Sequence, residues 1–265
     1  MSLPSHAADD VDAERRFGGL RRLYGDADYQ RLRGARMAVV GLGGVGSWVV
    51  EALARSGVAE LVLIDLDHVA ESNINRQVQA LGATLGMAKA EALRVRVQDI
   101  HPDCRVHCIE EFVDEQNWPG LLADRPIDGL VDACDQVRAK ASLAAWSLDS
   151  DTPFVAVGAA GGKREPHRLE IDDLAAVTHD PLLASLRQRL RKFHGAARQG
   201  KLGVPCVYSP EPVHLPPVQA GEACTVDGSL NCHGYGSIVT VTASFGMAAA
   251  AQLLKLFLQK PLPQK

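Results

Sequence analysis

The sequence has no C-x-x-C pair and no excess of basic residues, and each absence excludes a class of protein. Its six cysteines are scattered along a mid-sized chain, which fits reduced thiols better than a disulfide framework or a structural zinc site. The formal net charge of -4 argues against nucleic-acid binding through overall attraction, because the total has the wrong sign. A polyanionic partner would have to be held by a local basic patch.

The chain also lacks a recognisable export signal. Residues 1–14 carry four acids, no base and no apolar stretch, so they indicate a solvated tail, and we expect a cytoplasmic protein. Residues 238–254 carry no charge and approach the ~20 apolar residues that a membrane span requires. Because Thr240, Ser244 and Gln252 interrupt this run and Gly246 offers a small surface for close packing, we expect a buried helix, suited to a subunit interface, and no membrane span.

A hydrophobic content of 46% is ample for a packed core, and strand and helix patterns alternate along the chain. Strands are predicted at 36–44, 59–67, 104–113, 128–135 and 153–161, and helices at 46–57, 87–100, 138–150 and 180–195. This alternation predicts an α/β fold with a doubly wound, Rossmann-like and mainly parallel sheet, flanking helices and an irregular C-terminal region.

We treat the chain as one domain with four segments. They are an N-terminal tail with short helices (1–34), a nucleotide-binding core (35–162), a basic helix and loop region on the substrate side (163–236), and an apolar C-terminal helix packed on the core (237–265).

The stretch VVGLGGVGSW, residues 39–48, has the spacing of a nucleotide-binding loop between a strand and a helix. Gly41 permits the tight turn, Gly43 and its neighbour Gly44 let the backbone approach a phosphate, and Gly46 allows the helix to pack closely on the sheet. The helix that follows offers free N–H groups to an anion. Asp65 ends the next strand, where a Rossmann fold places a ribose-binding carboxylate. These features fit NAD and ATP equally.

The polar residues that follow Asp65 favour ATP. They are Asp67, Asn73, Arg76, Gln77 and Lys89. A nicotinamide needs an apolar slot and gains little from two cations, whereas attack on a phosphate gains much from them, because they stabilise the developing charge. Asp132 and Asp135 of VDACD then lie at the carboxyl end of a strand, where ligands of open α/β sheets bind and a carboxylate could hold Mg²⁺.

On these motifs the sequence resembles the ubiquitin-activating-type adenylyltransferases, which activate carboxylates with ATP on a Rossmann-like fold. Within that superfamily it is most similar to the tRNA threonylcarbamoyladenosine dehydratases. The similarity covers about residues 14–258. Besides the glycine loop, SNINRQ, Lys89 and VDACD, it includes the stretches RRFGGLRRLYG, VGAAGGKREPHRLEIDDL, DPLLASLRQRLRK and VTVTASFGMAAA.

The resemblance implies roles for individual residues. Asp65 and Asp67 would contact the nucleotide, and a second group would contact its phosphates and the transition state, namely Asn73, Arg76, Gln77 and Lys89. Asp135 would hold Mg²⁺ with Asp132 as helper. The superfamily often sends an N-terminal arginine into the partner's site, which makes Arg22 the candidate here and implies a homodimer.

The resemblance also implies a substrate, the threonylcarbamoyl group on the adenosine next to the tRNA anticodon. Its carboxylate would attack the α-phosphate of ATP and release pyrophosphate, and a nitrogen or oxygen of the same modification would close the ring. Activation makes chemical sense, because a free carboxylate is a poor electrophile and its acyl adenylate a good one. A cysteine desulfurase and its sulfur-acceptor protein are possible partners of such a family member.

Cys232 lies in the loop before the apolar helix, where related sequences place a functional cysteine. It could form a transient thioester with the activated acyl group. The alternative is an incidental or buried thiol, because ring closure within one molecule needs no covalent enzyme intermediate.

A basic cluster at residues 187–201 is a candidate tRNA surface. It contains six cations and no acid: Arg187, Arg189, Arg191, Lys192, Arg198 and Lys201. Such density inside an acidic chain suits a phosphate backbone, although a solvated helix face has the same composition. Phe193 and Tyr208 are candidates for stacking on an anticodon base.

Three other functions remain open at this point. The first is adenylation of the C-terminus of a ubiquitin-like sulfur-carrier protein, although bacterial enzymes of that kind usually carry two C-x-x-C pairs. The second is an NAD-dependent oxidoreductase, which SNINRQ and Lys89 disfavour. The third is a non-catalytic scaffold that keeps the fold, which the full set of polar residues disfavours.

Overall fold

A seven-stranded sheet forms the centre of the structure, a computed structural model that describes residues 12–215 and 235–261. The strands are β1 (Arg36–Val40), β2 (Glu60–Ile64), β3 (Arg105–Ile109), β4 (Gly129–Asp132), β5 (Phe154–Val157), β6 (Glu170–Asp173) and β7 (Pro205–Tyr208). Their spatial order is β3-β2-β1-β4-β5-β7-β6, and all neighbours are parallel except β6 and β7. The predicted doubly wound, Rossmann-like fold is confirmed, because the order runs outward from β1 in both directions.

Within the described part of the chain, six α-helices flank this sheet. They are α1 (Ala13–Gly34), α2 (Gly46–Arg55), α3 (Lys89–Ile100), α4 (Val137–Ser150), α5 (Pro181–Phe193) and α6 (Val239–Gln259). The four helices predicted between residues 46 and 195 are confirmed to within a few residues at each end. In α1, Gly25 has a non-helical φ of 78°, so this segment is two short helices joined at a kink, as the glycine-interrupted pattern predicts.

Alternate residues of β1 are buried on opposite faces of the sheet. Met37 and Val39 belong to a cluster that includes apolar residues of α2, α3 and α6. Ala38 and Val40 belong to a second cluster with α4 and α5. A strand covered on both faces reads as a continuous apolar run, which is why RMAVV shows no polar alternation. The two layers of helices therefore leave the strand ends as the accessible edges of the sheet.

The segment 163–236, expected to be irregular, contributes two strands to the same sheet. β7 continues the parallel order beside β5, and β6 returns antiparallel along it. Both strands are only four residues long, and EIDD carries three acids, so neither has a recognisable strand pattern. The sheet therefore extends beyond residue 162.

The apolar run at 238–254 forms α6, and this helix packs against the core. It is long and apolar enough to cross a membrane by length and composition, and 44% of its most apolar window is buried. Its buried stripe includes Val241, Phe245, Ala249 and Leu253. A Cβ added to Gly246 would lie 2.6 Å from the Cβ of Trp48, so the glycine permits close contact with α2. These contacts favour the buried helix that the sequence predicts.

Candidate nucleotide-binding site

An open pocket lies at the carboxyl ends of five strands. The residues that line it include Gly41 after β1, Asp65 after β2, Glu111 after β3, Ala133 after β4 and Gly158 after β5. Strand order reverses at β1 and β4, and ligands of open α/β sheets bind at such a reversal, because adjacent loops turn away in opposite directions there.

The glycine loop forms one wall of this pocket, and each position in it favours glycine for a different structural reason. Gly41 has a φ of +83°, and a Cβ there would lie 2.7 Å from the backbone nitrogen of Cys134. A Cβ on Gly46 would lie 1.7 Å from the carbonyl oxygen of Gly41, a contact no side chain can make. Gly43 has open space around it, and Gly44 lies near Thr242 and Arg76. Gly41 and Gly46 are thus required by the fold, whereas Gly43 keeps the pocket clear.

Asp65 connects β2 to the glycine loop. Its Oδ2 accepts a hydrogen bond of 2.6 Å from the backbone N–H of Leu42, and its Oδ1 accepts one of 2.8 Å from that of Asp67. Burial raises the pKa of this carboxyl, while the nearby charge of Lys89 opposes the shift. Each carboxylate oxygen can accept more than one hydrogen bond, so Asp65 retains capacity for ribose hydroxyls.

Asp67 and Lys89 form an ion pair in the pocket wall. The Nζ of Lys89 lies 2.6 Å from the Oδ2 of Asp67, and the lysine side chain is 8% exposed. Lys89 begins α3 and both residues line the pocket. The pair therefore holds an ammonium group at a fixed position beside the carboxylates of Asp65 and Asp67.

Arg76 reaches the pocket from the segment between β2 and α3. Its backbone carbonyl accepts a hydrogen bond of 2.9 Å from the indole of Trp48 and one of 3.3 Å from the hydroxyl of Thr242. Its guanidinium donates to the carbonyl of Ser72 at 2.6 Å and to the side chain of Asn75 at 3.0 Å. The backbone is thus fixed by α2 and α6, and the half-buried side chain lies at the pocket surface.

The other two residues of SNINRQ that were predicted as nucleotide contacts, Asn73 and Gln77, lie in different places. Gln77 lines the pocket, and its Oε1 accepts a hydrogen bond of 3.1 Å from Gln79. Asn73 is buried outside the pocket lining, and its side chain accepts a hydrogen bond of 3.0 Å from the N–H of Ala70. Asn73 therefore shapes the turn that presents Arg76, and the nucleotide contact expected for it stays a prediction.

The two acids after β4 also have different positions. Asp135 is exposed and lines the pocket. Asp132 is fully buried and pairs with the fully buried Lys140, whose Nζ lies 3.1 Å away. This burial and pairing argue against the helper role in metal binding expected for Asp132, since its carboxylate already has a buried ammonium partner. In residues 12–215 and 235–261 no cluster of three or more acidic, histidine or cysteine side chains could hold a metal.

Half of the basic cluster is held by the protein itself. Arg187 donates two hydrogen bonds of 2.9 Å to the carbonyls of Leu174 and Val177. Arg189 pairs with Glu115, and Arg191 donates to a backbone carbonyl at 3.2 Å. The exposed remainder consists of Lys192, Arg198 and Lys201. Arg187 is therefore better explained as a structural contact than as a tRNA contact.

Tyr208, expected as a stacking residue, is 3% exposed and hydrogen-bonds Glu170 at 2.8 Å. Its ring cannot reach a base, so that expectation is wrong. Phe193 is 57% exposed and stays available.

Arg22 does not line the pocket. Arg22 is exposed on α1, and Arg16 of the same helix donates to the carbonyls of Asp99 and Ile100 at the end of α3. Those carbonyls precede β3, so this half of α1 lies at the edge opposite to the pocket. Arg22 could therefore serve only a site on another subunit. Cys232 lies outside the described residues.

Several pocket residues are missing from the sequence predictions. They are Glu111, Phe112, Val113, Cys134, Gln136, Gly158, Ala159, Ala160 and Thr242. Most follow a parallel strand directly, and the strand-end rule identifies that position without any motif. Thr242 comes from α6, far along the chain, and no local signal indicates it.

Asp180 fixes the loop after β5 from behind. Its Oδ2 accepts a hydrogen bond of 2.9 Å from the N–H of Ala159, and its Oδ1 caps α5 through Leu183. A Cβ on Gly158 would lie 2.1 Å from the same carboxylate. A glycine and a buried acid thus determine together where this side of the pocket lies.

The chain matches a known protein family and is similar to several known proteins. The ThiF family model matches residues 17–265. The tRNA threonylcarbamoyladenosine dehydratase of Haemophilus influenzae is 41% identical to the chain, with 93% of this chain and 95% of that protein covered.

Two solved structures of the tRNA N6-threonylcarbamoyladenosine dehydratase of Escherichia coli have a fold similar to that of this chain. The complex with ATP has a TM-score of 0.83 at 38% identity, covering 95% of this chain and 97% of the other. The complex with AMP has a TM-score of 0.83 at 39% identity, covering 96% and 97%.

Proposed function

The chain belongs to the ThiF family, and we propose that within it the protein is an ATP-dependent tRNA threonylcarbamoyladenosine dehydratase. It dehydrates and cyclises N6-threonylcarbamoyladenosine next to the tRNA anticodon through adenylation of the carboxylate. The observation that carries this proposal is the pocket itself, in which Arg76, Lys89 and the glycine loop converge. Two relatives that are 41% and 40% identical over nearly the whole chain are tRNA threonylcarbamoyladenosine dehydratases.

The proposed reaction has two steps. An oxygen of the substrate carboxylate attacks the α-phosphorus of ATP, the bond to the β-phosphate breaks, and pyrophosphate leaves. A nitrogen or oxygen of the same modification then attacks the acyl carbon and displaces AMP, which retains that carboxylate oxygen. One water is lost from the nucleoside overall, and the free energy comes from cleavage of ATP.

The pocket residues divide this work by position. Asp65 and Asp67 bind the ribose side, and the open backbone at Gly43 admits the phosphates. Arg76 and Lys89 supply positive charge where negative charge develops on the α-phosphate and on pyrophosphate. Because Lys89 is buried and paired, its ammonium needs little reorganisation during the reaction, and Gln77 lines the same wall.

Asp135 is the residue that would hold Mg²⁺. This ion keeps several waters and is commonly bound through one or two carboxylates together with substrate phosphates, so a single exposed acid at the pocket fits. When bound, the ion would neutralise charge on the phosphates. Asp132 contributes indirectly, because its pair with Lys140 lies beneath the turn that carries Asp135.

The remaining proposals concern partners. Lys192, Arg198 and Lys201 contact tRNA phosphates, and Arg22 enters the partner's pocket in a homodimer. We also propose a cytoplasmic location, where tRNA is available, and contact with a cysteine desulfurase and its sulfur-acceptor protein. Cys232 is kept as a candidate for a transient thioester.

Isotope transfer tests the proposed reaction directly. Threonylcarbamoylated tRNA carrying ¹⁸O in the carboxylate is incubated with the protein, Mg²⁺ and ATP, and nucleosides are analysed by mass spectrometry under quenching mild enough to preserve the ring. We expect loss of one water and one ¹⁸O atom in AMP. Arg76→Ala should abolish both, whereas Arg94→Ala, which removes an arginine paired with Glu91 on α3, should leave them unchanged.

Two outcomes would overturn the proposal. Label in inorganic phosphate would indicate phosphorylation instead of adenylation. An unchanged nucleoside, with AMP formed only when a sulfur-carrier protein is supplied, would support activation of a protein C-terminus, although the sequence has no C-x-x-C pair.

A further inference from the structure

Two exposed aromatic rings belong to segments that contribute residues to the nucleotide pocket. Phe112 follows β3 and lines the pocket, yet it is 51% exposed. Phe193 ends α5 and is 57% exposed. Stability gains little from a phenyl ring in water, because the hydrophobic contribution comes from buried area. Core packing therefore explains neither position.

An ion pair joins the elements that carry these rings. Arg189 of α5 pairs with Glu115, which lies three residues after Phe112, and three residues span at most about 11 Å. The guanidinium carbon of Arg189 also lies 4.8 Å from the centre of the Phe193 ring. The segments that carry Phe112 and Phe193 are thus neighbours on the surface, with Phe112 at the pocket and Phe193 at the far end of α5.

Positive charge lies around Phe193, whereas exposed acids flank Phe112 in the sequence, namely Glu110, Glu111, Asp114 and Glu115. The Nζ of Lys192 lies 4.9 Å from the centre of the Phe193 ring. The hydrogen bond from Arg189 lowers the pKa of the Glu115 carboxyl, and the charges of Arg138 and His194 act in the same direction. Arg138 is exposed and lies two residues after the pocket residue Gln136. We name this area the rim surface and define it as Phe112, Arg138, Arg189, Lys192 and Phe193.

Exposed aromatic rings on a surface that also carries cations are the chemistry that recognises unpaired nucleotides. Bases stack on the rings, which every base can do, while the cations attract the phosphates between them. A duplex would use the cations alone, because its bases are already stacked. The rim surface therefore suits a single-stranded loop better than a helical stem.

We propose that the rim surface docks the anticodon loop of the substrate tRNA, with Phe112 and Phe193 stacking on unpaired bases that flank the modified adenosine. This inference rests on the proposed function and adds the residues that orient the loop. Phe112 lies at the pocket itself and stacks on the base nearest the reacting group. Phe193 lies further out, and Lys192 and Arg138 contact the phosphates.

Binding of a fluorescent anticodon stem-loop with the modified adenosine tests the proposal, measured by anisotropy with full-length protein. We expect Phe193→Ala to weaken binding by about 5-fold to about 150-fold, the range for loss of one base stack. Phe193→Trp should restore affinity and Phe193→Leu should not, since stacking needs an aromatic face. Val95→Ala, which trims another exposed apolar side chain on α3, is the matched control and should bind normally.

The salt dependence of stem-loop binding distinguishes the contribution of base stacking from that of charge. Lys192→Ala should reduce the slope of log affinity against log salt by about one phosphate contact. Phe193→Ala should shift the line without changing its slope. For Phe112→Ala we expect weaker stem-loop binding with unchanged affinity for ATP. A loss of ATP affinity alone would assign this ring to the nucleotide and remove it from the proposal.

The outcomes of these experiments test the rim surface and the proposed function separately. If the wild-type protein dehydrates the nucleoside and both phenylalanine variants bind the stem-loop normally, the rim surface is wrong and the dehydratase stands. If the wild type fails to dehydrate, the proposed function is wrong whatever the variants do. A changed oligomeric state in light scattering, with unchanged stem-loop affinity, would assign the rim surface to a protein contact and overturn the proposal.

Discussion

Single residues in the glycine loop separate folding from binding. Gly46 faces the carbonyl of Gly41, and Gly43 faces open pocket. We expect Gly46→Ala to prevent stable folding, because neither backbone segment can move away without breaking the loop. Gly43→Ala should change the free energy of unfolding by less than about 0.5 kcal/mol and weaken ATP binding by about 10-fold, because the methyl group occupies the path of the phosphates.

Urea unfolding and calorimetric ATP titration measure the two effects separately. A folded Gly46→Ala protein with normal ATP affinity would contradict the packing argument. Normal ATP affinity in Gly43→Ala would show that the phosphates do not approach this part of the backbone.

The pair of Asp132 and Lys140 gives a second prediction for single residues. Both side chains are fully buried, and Lys140 also donates to the carbonyl of Cys134 at 3.0 Å. Lys140→Met leaves an uncompensated buried carboxylate, which should cost about 3–5 kcal/mol of stability. The double variant with Asp132→Asn should recover part of that loss, since the buried charge is then removed. Equal stability of wild type and Lys140→Met in urea unfolding would refute this role.

At the scale of elements, the attachment of α1 depends on a buried histidine. His101 follows α3 and contacts Phe17, with ring centroids 4.8 Å apart and the ring planes tilted by 57°. Its Nε2 lies 2.8 Å from the guanidinium of Arg33. Burial, and then the charge of Arg33, lowers the pKa of His101 to about 4. The imidazole is therefore neutral in the folded protein and protonates more readily when the chain unfolds.

This shift predicts weaker attachment of α1 in acid. Since the folded pKa lies below the unfolded value of about 6.5, the contribution of His101 is present above pH 6.5 and declines as the pH falls towards 4. We expect wild type to lose about 1 kcal/mol more unfolding free energy per pH unit than His101→Gln between pH 6 and 5. Chemical denaturation at each pH gives the slopes, and hydrogen exchange locates the change in α1. Parallel slopes for the two proteins would contradict the assignment.

At the scale of the whole molecule, we expect Arg22 to act in the pocket of a second subunit. It lies on α1 at the edge of the sheet away from the pocket. If each active site combines its own Arg76 with the partner's Arg22, Arg22→Ala and Arg76→Ala homodimers are both inactive. Mixed dimers then contain one complete site, and random exchange of subunits should restore about a quarter of wild-type dehydration activity.

The nucleoside assay compares two mixtures of the variants. In one, the two proteins are refolded together so that subunits exchange; in the other, they are folded separately and combined without exchange. No recovery after exchange, with dimers confirmed by light scattering, would place Arg22 outside the active site. Full activity of Arg22→Ala alone would lead to the same conclusion.

The sequence by itself determined the features that depend on local chain geometry. The glycine spacing, the apolar runs of β1 and β2 and the helix patterns follow from short-range sterics and burial, so the Rossmann-like sheet and the pocket wall at Gly41–Gly46 are predictable. Asp65, Asp67, Arg76 and Lys89 could be identified because they follow that loop in a recognisable order. Each of them lines the pocket.

Only the tertiary structure decided which polar groups are free. Asp132 and Asp135 look equivalent in VDACD, yet Lys140 binds the first and leaves the second exposed. Arg187 and Lys192 belong to one basic run, yet only Arg187 is held by backbone carbonyls. Thr242 and Phe112 reach the pocket from α6 and from the end of β3. Charge pairing and convergence of distant segments are set by packing across the whole fold, and a local pattern carries no information about them.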